Sequence, residues 1–199
     1  FYADITLRHY SNLKILKRMK KLLLFALPLF LFSCKSGVDA HKAAIEKLGT
    51  DWDAATAAVT GFSEGLTKDM TAYTEAASGM MLDSTAAAAL KGDAATKWNE
   101  ATAAYKAASA GYAPVQQELN DFVTMWTEKA AGVTALKDGL AAGKLEGDVA
   151  GQITELSGLA TQATEKVTAW TAKQAELKTA ADSALGMLKA AYEMVGKKK

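Results

Sequence analysis

Cysteine, histidine and proline are nearly absent from this 199-residue chain: it holds one Cys (Cys34), two His (His9 and His41) and two Pro (Pro28 and Pro114). One cysteine excludes an intramolecular disulfide, a CxxC redox pair and a cysteine-rich zinc site. Two histidines leave little for histidine-based metal binding or catalysis. The formal charge is +1, but six basic residues and one acidic residue fall in 1–33, so that 34–199 has 17 basic against 21 acidic residues. A mildly acidic body speaks against nucleic acid as the partner. No GxxxxGK or GxGxxG pattern is present, so no phosphate cradle is indicated. No Ser-His-Asp set can be assembled around His41, and no enzymatic activity or cofactor is expected. Asp51-Trp52-Asp53 brings two carboxylates close in sequence, but residues two apart on a helix point to different faces. They read as solvated surface charges.

What is present begins with an address. Met19-Lys20-Lys21 leads into the apolar run Leu22 to Phe32, followed by Ser33 and Cys34. A basic start, a short apolar run and a small residue before a cleavage point make a secretory signal. The run is too short to cross a bilayer, which takes about 20 residues. Its end, Leu31-Phe32-Ser33-Cys34, resembles the lipobox of bacterial prolipoproteins: Leu, a variable residue, a small residue, then Cys. Phe32 is bulkier than the usual occupant of its position. The resemblance covers about 16 residues, and the chain's only cysteine stands where it is required. It implies a diacylglyceryl group on the Cys34 sulfur, cleavage before Cys34, acylation such as palmitate on the new amine, and anchoring in a membrane. Each buried methylene adds roughly 0.8 kcal/mol, so two or three chains hold firmly. Lys35, rather than Asp, follows the anchor and no acidic run succeeds it. The resemblance therefore leans to the outer membrane of the cell envelope, facing the periplasm. Residues 1–18 contain no Met and are expected to be an upstream over-extension of the reading frame. The expected organisation is thus 19–33 signal peptide, 34–37 anchor and linker, and 38–199 helical bundle.

Residues 34–199 contain 39 alanines and a single proline, Pro114. Alanine is the strongest helix former, and no strand alternation bounded by turns is evident. Apolar residues recur at 3-4-3-4 spacing. One stretch runs Ile45, Leu48, Trp52, Ala55, Val59, Phe62, Leu66, then Met70, Tyr73, Ala77, Met80. A second runs from Ala94 and Trp98 through Tyr105, Tyr112, Leu119 and Trp126 to Leu140, and a third from Val149 through Trp170 and Leu188 to Val195. Lys129 and Gln174 interrupt its character. This is the seam of helices packed at a shallow angle. It predicts an all-α fold: three long antiparallel helices near 38–79, 84–142 and 148–196, in an up-down-up coiled-coil-like bundle. Ser36 to Asp39 fits a capping box, Gly79 ends the first helix, Asp83 or Ser84 caps the next, and Gly143, Gly147 and Asp148 form the second turn. Pro114 is expected to kink the second helix rather than split it, because the seam keeps step across it. The aromatic stripe Trp98, Tyr105, Tyr112 could present a stacking face, but heptad spacing makes it core.

Folding the chain about residue 82 sets Trp126 level with Val38. The hairpin from about Thr127 to Thr161 should then overhang the first helix by roughly 16 residues, about 24 Å. Its Val133, Leu136, Leu140, Val149, Ile153 and Leu156 either cover one another or form a partner- or membrane-facing surface. Lys197-Lys198-Lys199 should stand on the order of 65 Å from the anchor. There it either complements the helix dipole or contacts peptidoglycan. A lipidated amino end, an alanine-rich heptad helix and a carboxyl-terminal Lys are architecturally similar to murein lipoproteins, which differ in having one helix per chain. The functional expectation is a lipid-anchored envelope protein acting as spacer, tether or interaction adaptor, with an envelope protein or peptidoglycan as partner. A binding module holding a wall polymer or small ligand in a bundle groove is the alternative.

Overall fold

The computed structural model describes residues 38–196. Among the described residues the fold is all-helical, 89% of them in four helices with no strand. Helix α1 is Asp39–Ser78, α2 Ser84–Ala88, α3 Asp93–Ala141 and α4 Val149–Gly196. The three long ones pack closely. Two compact units arise among the described residues, each drawing a segment from every long helix: one from 38–64 with 120–168, the other from 65–119 with 169–196.

The apolar seam becomes the core. In the first unit Ile45, Leu48, Trp52, Ala55, Val59 and Phe62 of α1 are buried together with Phe122, Val123, Trp126, Ala130, Val133 and Leu136 of α3, and Val149, Leu156, Ala160 and Ala163 of α4. Trp52 and Trp126 stack face to face, centroids 3.6 Å apart and planes at 10°; Phe122 packs beside Trp126 at 5.7 Å. Such ring pairs are worth about 0.5–1.5 kcal/mol beyond the area they bury. The Trp126 Nε1–H donates to Thr56 Oγ1 at 3.0 Å, and that hydroxyl donates in turn to the Trp52 carbonyl at 2.8 Å. A buried threonine and a buried indole thereby satisfy one another. Lys129 is exposed and pairs with Glu155 of α4, so the seam passes through Ala130 instead.

In the second unit Ala77, Trp98, Ala101, Leu188 and Ala191 form one buried cluster. Two tryptophan-bearing stretches of the seam are completed here, with Trp98 4% and Trp170 3% exposed. Gly111 lies where a Cβ would come within 2.7 Å of Leu177 Cδ2, so α3 and α4 approach closely at that point. Helix α3 runs through Pro114 without a break. Pro114 and Ala110 are both exposed, so the carbonyl that loses its amide donor is open to water, which offsets part of the cost.

The connections explain where the expected boundaries fail. A single helix over 84–142 is not formed. Asp83 caps α2 by accepting from the Ala86 amide at 2.8 Å, α2 stops after five residues, and Gly92 turns the chain at φ 58° before α3 starts at Asp93. The reason is apolar: Met80, Met81, Leu82, Ala87 and Leu90 of this connection pack on the Trp98 cluster, which a straight helix could not bring about. The second turn forms as expected. Gly143, at φ 66°, donates to the Leu140 carbonyl while the Lys144 amide reaches the Gly139 carbonyl, a Schellman ending; Asp148 caps α4 by accepting from the Gly151 amide at 2.9 Å.

The longer first connection also shifts the register. Trp126 meets Trp52 rather than Val38, and Tyr105 meets Tyr73. Both pairs are centred on residue 89, midway between their members, instead of 82. The expected overhang is thereby corrected: Lys137 of α3 reaches Asp53 of α1 at 3.4 Å. Val133, Leu136, Val149 and Leu156 are buried and Leu140 and Ile153 half-buried.

Trp126→Ala should lower stability by about 3–5 kcal/mol, as large-to-small core changes do. Thr56→Val, which keeps the shape but strands the indole donor, should cost about 1–3 kcal/mol. Urea midpoints at constant m-value check both. An unchanged midpoint for both variants would mean that the stack does not form.

Candidate functional site

A surface groove in the second unit gathers more chemistry than any single motif in the sequence. It has a volume of about 220 Å³ and is lined by α1, α3 and α4. Asp69, Ala72, Tyr73 and Ala76 come from α1, Tyr112 from α3, and Lys178, Ala181, Asp182 and Leu185 from α4. Helical spacing produces this set: Asp69, Ala72, Tyr73 and Ala76 recur at i, i+3, i+4 and i+7, as do Lys178, Ala181, Asp182 and Leu185, so each group shares one helix face. Three alanines keep the walls low, and the groove exists because nothing longer fills it.

The aromatic side of the groove is tightly determined. Tyr73 stacks on Tyr105 at 4.9 Å and tilts toward Tyr112 at 6.5 Å. The Tyr73 hydroxyl donates to the Tyr105 carbonyl at 3.1 Å. Burial, with Tyr105 and Tyr112 adding to it and a Ser109 hydrogen bond opposing it, pushes the Tyr73 phenol up to about 12. Burial also raises the Tyr112 phenol, and the Asp69 and Asp182 carboxylates add to that shift. Both phenols are therefore neutral hydroxyl groups at physiological pH.

The polar side is held from α4. Gln174 Nε2 donates to Asp69 Oδ2 at 2.7 Å. This accounts for a polar residue in the third apolar stretch: Gln174 is half-buried and orients a carboxylate of α1. Lys178 and Asp182, four apart, lie at 3.7 Å and are both exposed, so their pairing contributes little.

No protein-family model, curated protein sequence or solved structure matches the chain. The site residues expected from the sequence divide into two sets. Cys34, Lys197, Lys198 and Lys199 lie outside the described residues, as does Ser36 of the expected capping box. The rest are placed. Asp51 pairs with Lys47 of its own helix while Asp53 faces Lys137 of α3, so the two carboxylates point apart. Trp98 and Tyr112 are buried and Tyr105 half-buried, which makes the stripe core, with Tyr112 also touching the groove. His41 is half-buried near the start of α1. Among the described residues no group of three metal-ligating side chains occurs, and no helix is long and apolar enough to cross a membrane. Sequence reasoning does not bring Asp69, Tyr73 and Asp182 together; the one signal for them is Gln174, a polar residue at a seam position.

Because the Tyr73 value in the folded chain lies above the free value of 10.0, the folded state holds that proton more tightly. The stabilisation is complete below pH 10 and is lost as pH rises through about 12. Ultraviolet difference titration should show a late phenol that disappears in Tyr73→Phe, together with a fall in unfolding free energy across that window. Phenols that all ionise near 10 would contradict the burial.

Proposed function

We propose that the chain is a lipid-anchored protein of the bacterial cell envelope whose helical body serves as a spacer, tether or interaction adaptor, without catalysis of its own. The observation that carries this reading is the apolar run Leu22 to Phe32 closing on Ser33-Cys34, with the chain's only cysteine at the lipobox position. Acylation there would join the body to a membrane, and the resemblance favours the outer membrane with the body in the periplasm.

The body suits that role. All four tryptophans lie buried in the seam, while Tyr192 is exposed; the pairs Trp52–Trp126 and Tyr73–Tyr105 support an antiparallel order of α1 and α3, and Lys129 against Glu155 with Gly111 against Leu177 supports the same for α3 and α4. Lys197, Lys198 and Lys199 supply three cations for an anionic envelope partner, peptidoglycan or protein.

Mass spectrometry of the membrane fraction should find an acylated amino-terminal Cys34, and Cys34→Ser should move the protein to the soluble fraction. An unmodified Cys34, or a serine variant that still partitions into membranes, would overturn the anchored reading. Removal of 197–199 should reduce retention on purified cell walls; equal retention would remove the tail from the proposed contact.

A further inference from the structure

The groove beside Tyr112 holds an unanswered hydrogen-bonding group. Tyr112 is 2% exposed, yet among the described residues its hydroxyl has no hydrogen-bond partner, whereas the Tyr73 hydroxyl is bonded to the Tyr105 carbonyl. No side-chain polar atom among the described residues is both sealed from solvent and unpartnered. The Tyr112 hydroxyl therefore keeps an opening, and Tyr112 lines the groove. The same groove carries two carboxylates, Asp69 and Asp182, against one ammonium, Lys178.

We propose that this groove is a binding site for a small aliphatic ammonium ion, its cationic head placed against Asp69, Asp182 and the Tyr112 hydroxyl, its short alkyl body against Ala72, Ala76 and Leu185. The site goes beyond the anchored-bundle reading and does not depend on it.

Charge selects the ligand's sign. Two carboxylates and a neutral phenol oxygen accept hydrogen bonds from an ammonium, and they repel an anion. The Asp69 carboxylate is set in place through Oδ2 by Gln174, leaving Oδ1 for a further donor. Asp182 has only the exposed Lys178 at 3.7 Å, an ion pair weak enough for an incoming ammonium to replace. Size follows from volume. An apolar cavity of about 150 Å³ admits benzene, so about 220 Å³ suits an alkyl chain of a few carbons with its head group. The alanines provide apolar walls without the bulk that would close the groove.

Butylammonium chloride titrated into the isotope-labelled full chain tests this by amide chemical shifts. Saturable changes are expected at millimolar concentration, confined to 69–76, the surroundings of 112, and 178–185. Tyr112→Phe and Asp182→Asn should each weaken binding about tenfold, as loss of a hydrogen bond to a charged group does. Ala76→Leu, on the exposed wall, should abolish binding by filling the groove while leaving helical dichroism intact. If Tyr112→Phe loses helicity, the affinity of Asp182→Asn, a surface change, decides by itself. The proposal is overturned if no saturable change occurs, if n-butanol or sodium chloride produces the same shifts, or if the folded variants among Tyr112→Phe and Asp182→Asn bind as tightly as the parent.

Discussion

The stack of Trp52 on Trp126 is the contact on which the pairing of α1 with α3 in the first unit depends. Alanine-rich helices offer few ways to choose between registers, because sliding one small side chain past another changes little. Two indoles face to face at 3.6 Å remove that degeneracy. The Trp126 donor reaches Thr56 Oγ1, a partner one turn beyond Trp52, and a slip by a turn would separate the two indoles. The interaction is therefore both adhesive and selective. Lys137 to Asp53 and Lys129 to Glu155 accompany it at the surface, where ion pairs contribute about 0–1 kcal/mol.

In the second unit the same problem is solved differently. Trp98 sits among Ala77, Ala101, Leu188 and Ala191, and the connection between α1 and α3 folds over it with Met80, Met81, Leu82 and Leu90. That connection is apolar and capped, with a five-residue helix of its own. Its length centres the α1–α3 pairs on residue 89, and the hydrophobic residues near the α3–α4 turn are covered as a result.

The groove shows how an alanine-rich composition can leave space as well as save it. Where Gly111 allows Leu177 to approach, the helices close; where Ala72, Ala76 and Ala181 line the surface, a depression remains. Tyr73 and Tyr112 back it, and Gln174 holds Asp69 beside it. Polar residues at seam positions thus have separate fates. Lys129, with a long flexible stem, reaches the surface and leaves the core to Ala130, whereas Gln174 stays half-buried because a carboxylate answers its amide.

Heptad spacing, alanine content and the glycine and aspartate punctuation were enough to assign three long helices, their core faces, the burial of all four tryptophans and the turn at Gly143 to Asp148. These are consequences of local periodicity and capping, which act within a few residues and so can be read along the chain. The resemblance of Leu31 to Cys34 to a lipobox and the lysines at 197–199 fall outside the described residues and are read from the sequence alone. The register of α1 against α3, the short helix α2 and the groove were not legible. Each depends on which side chains meet across helices: two indoles 74 positions apart that stack, a connection whose apolar residues find the Trp98 cluster, and Asp69, Tyr112 and Asp182, which come together only when three helices do. Spacing along one helix says which face is buried. What that face meets is decided by packing, since the 3-4 pattern repeats every seven residues and only large or polar side chains distinguish one repeat from the next.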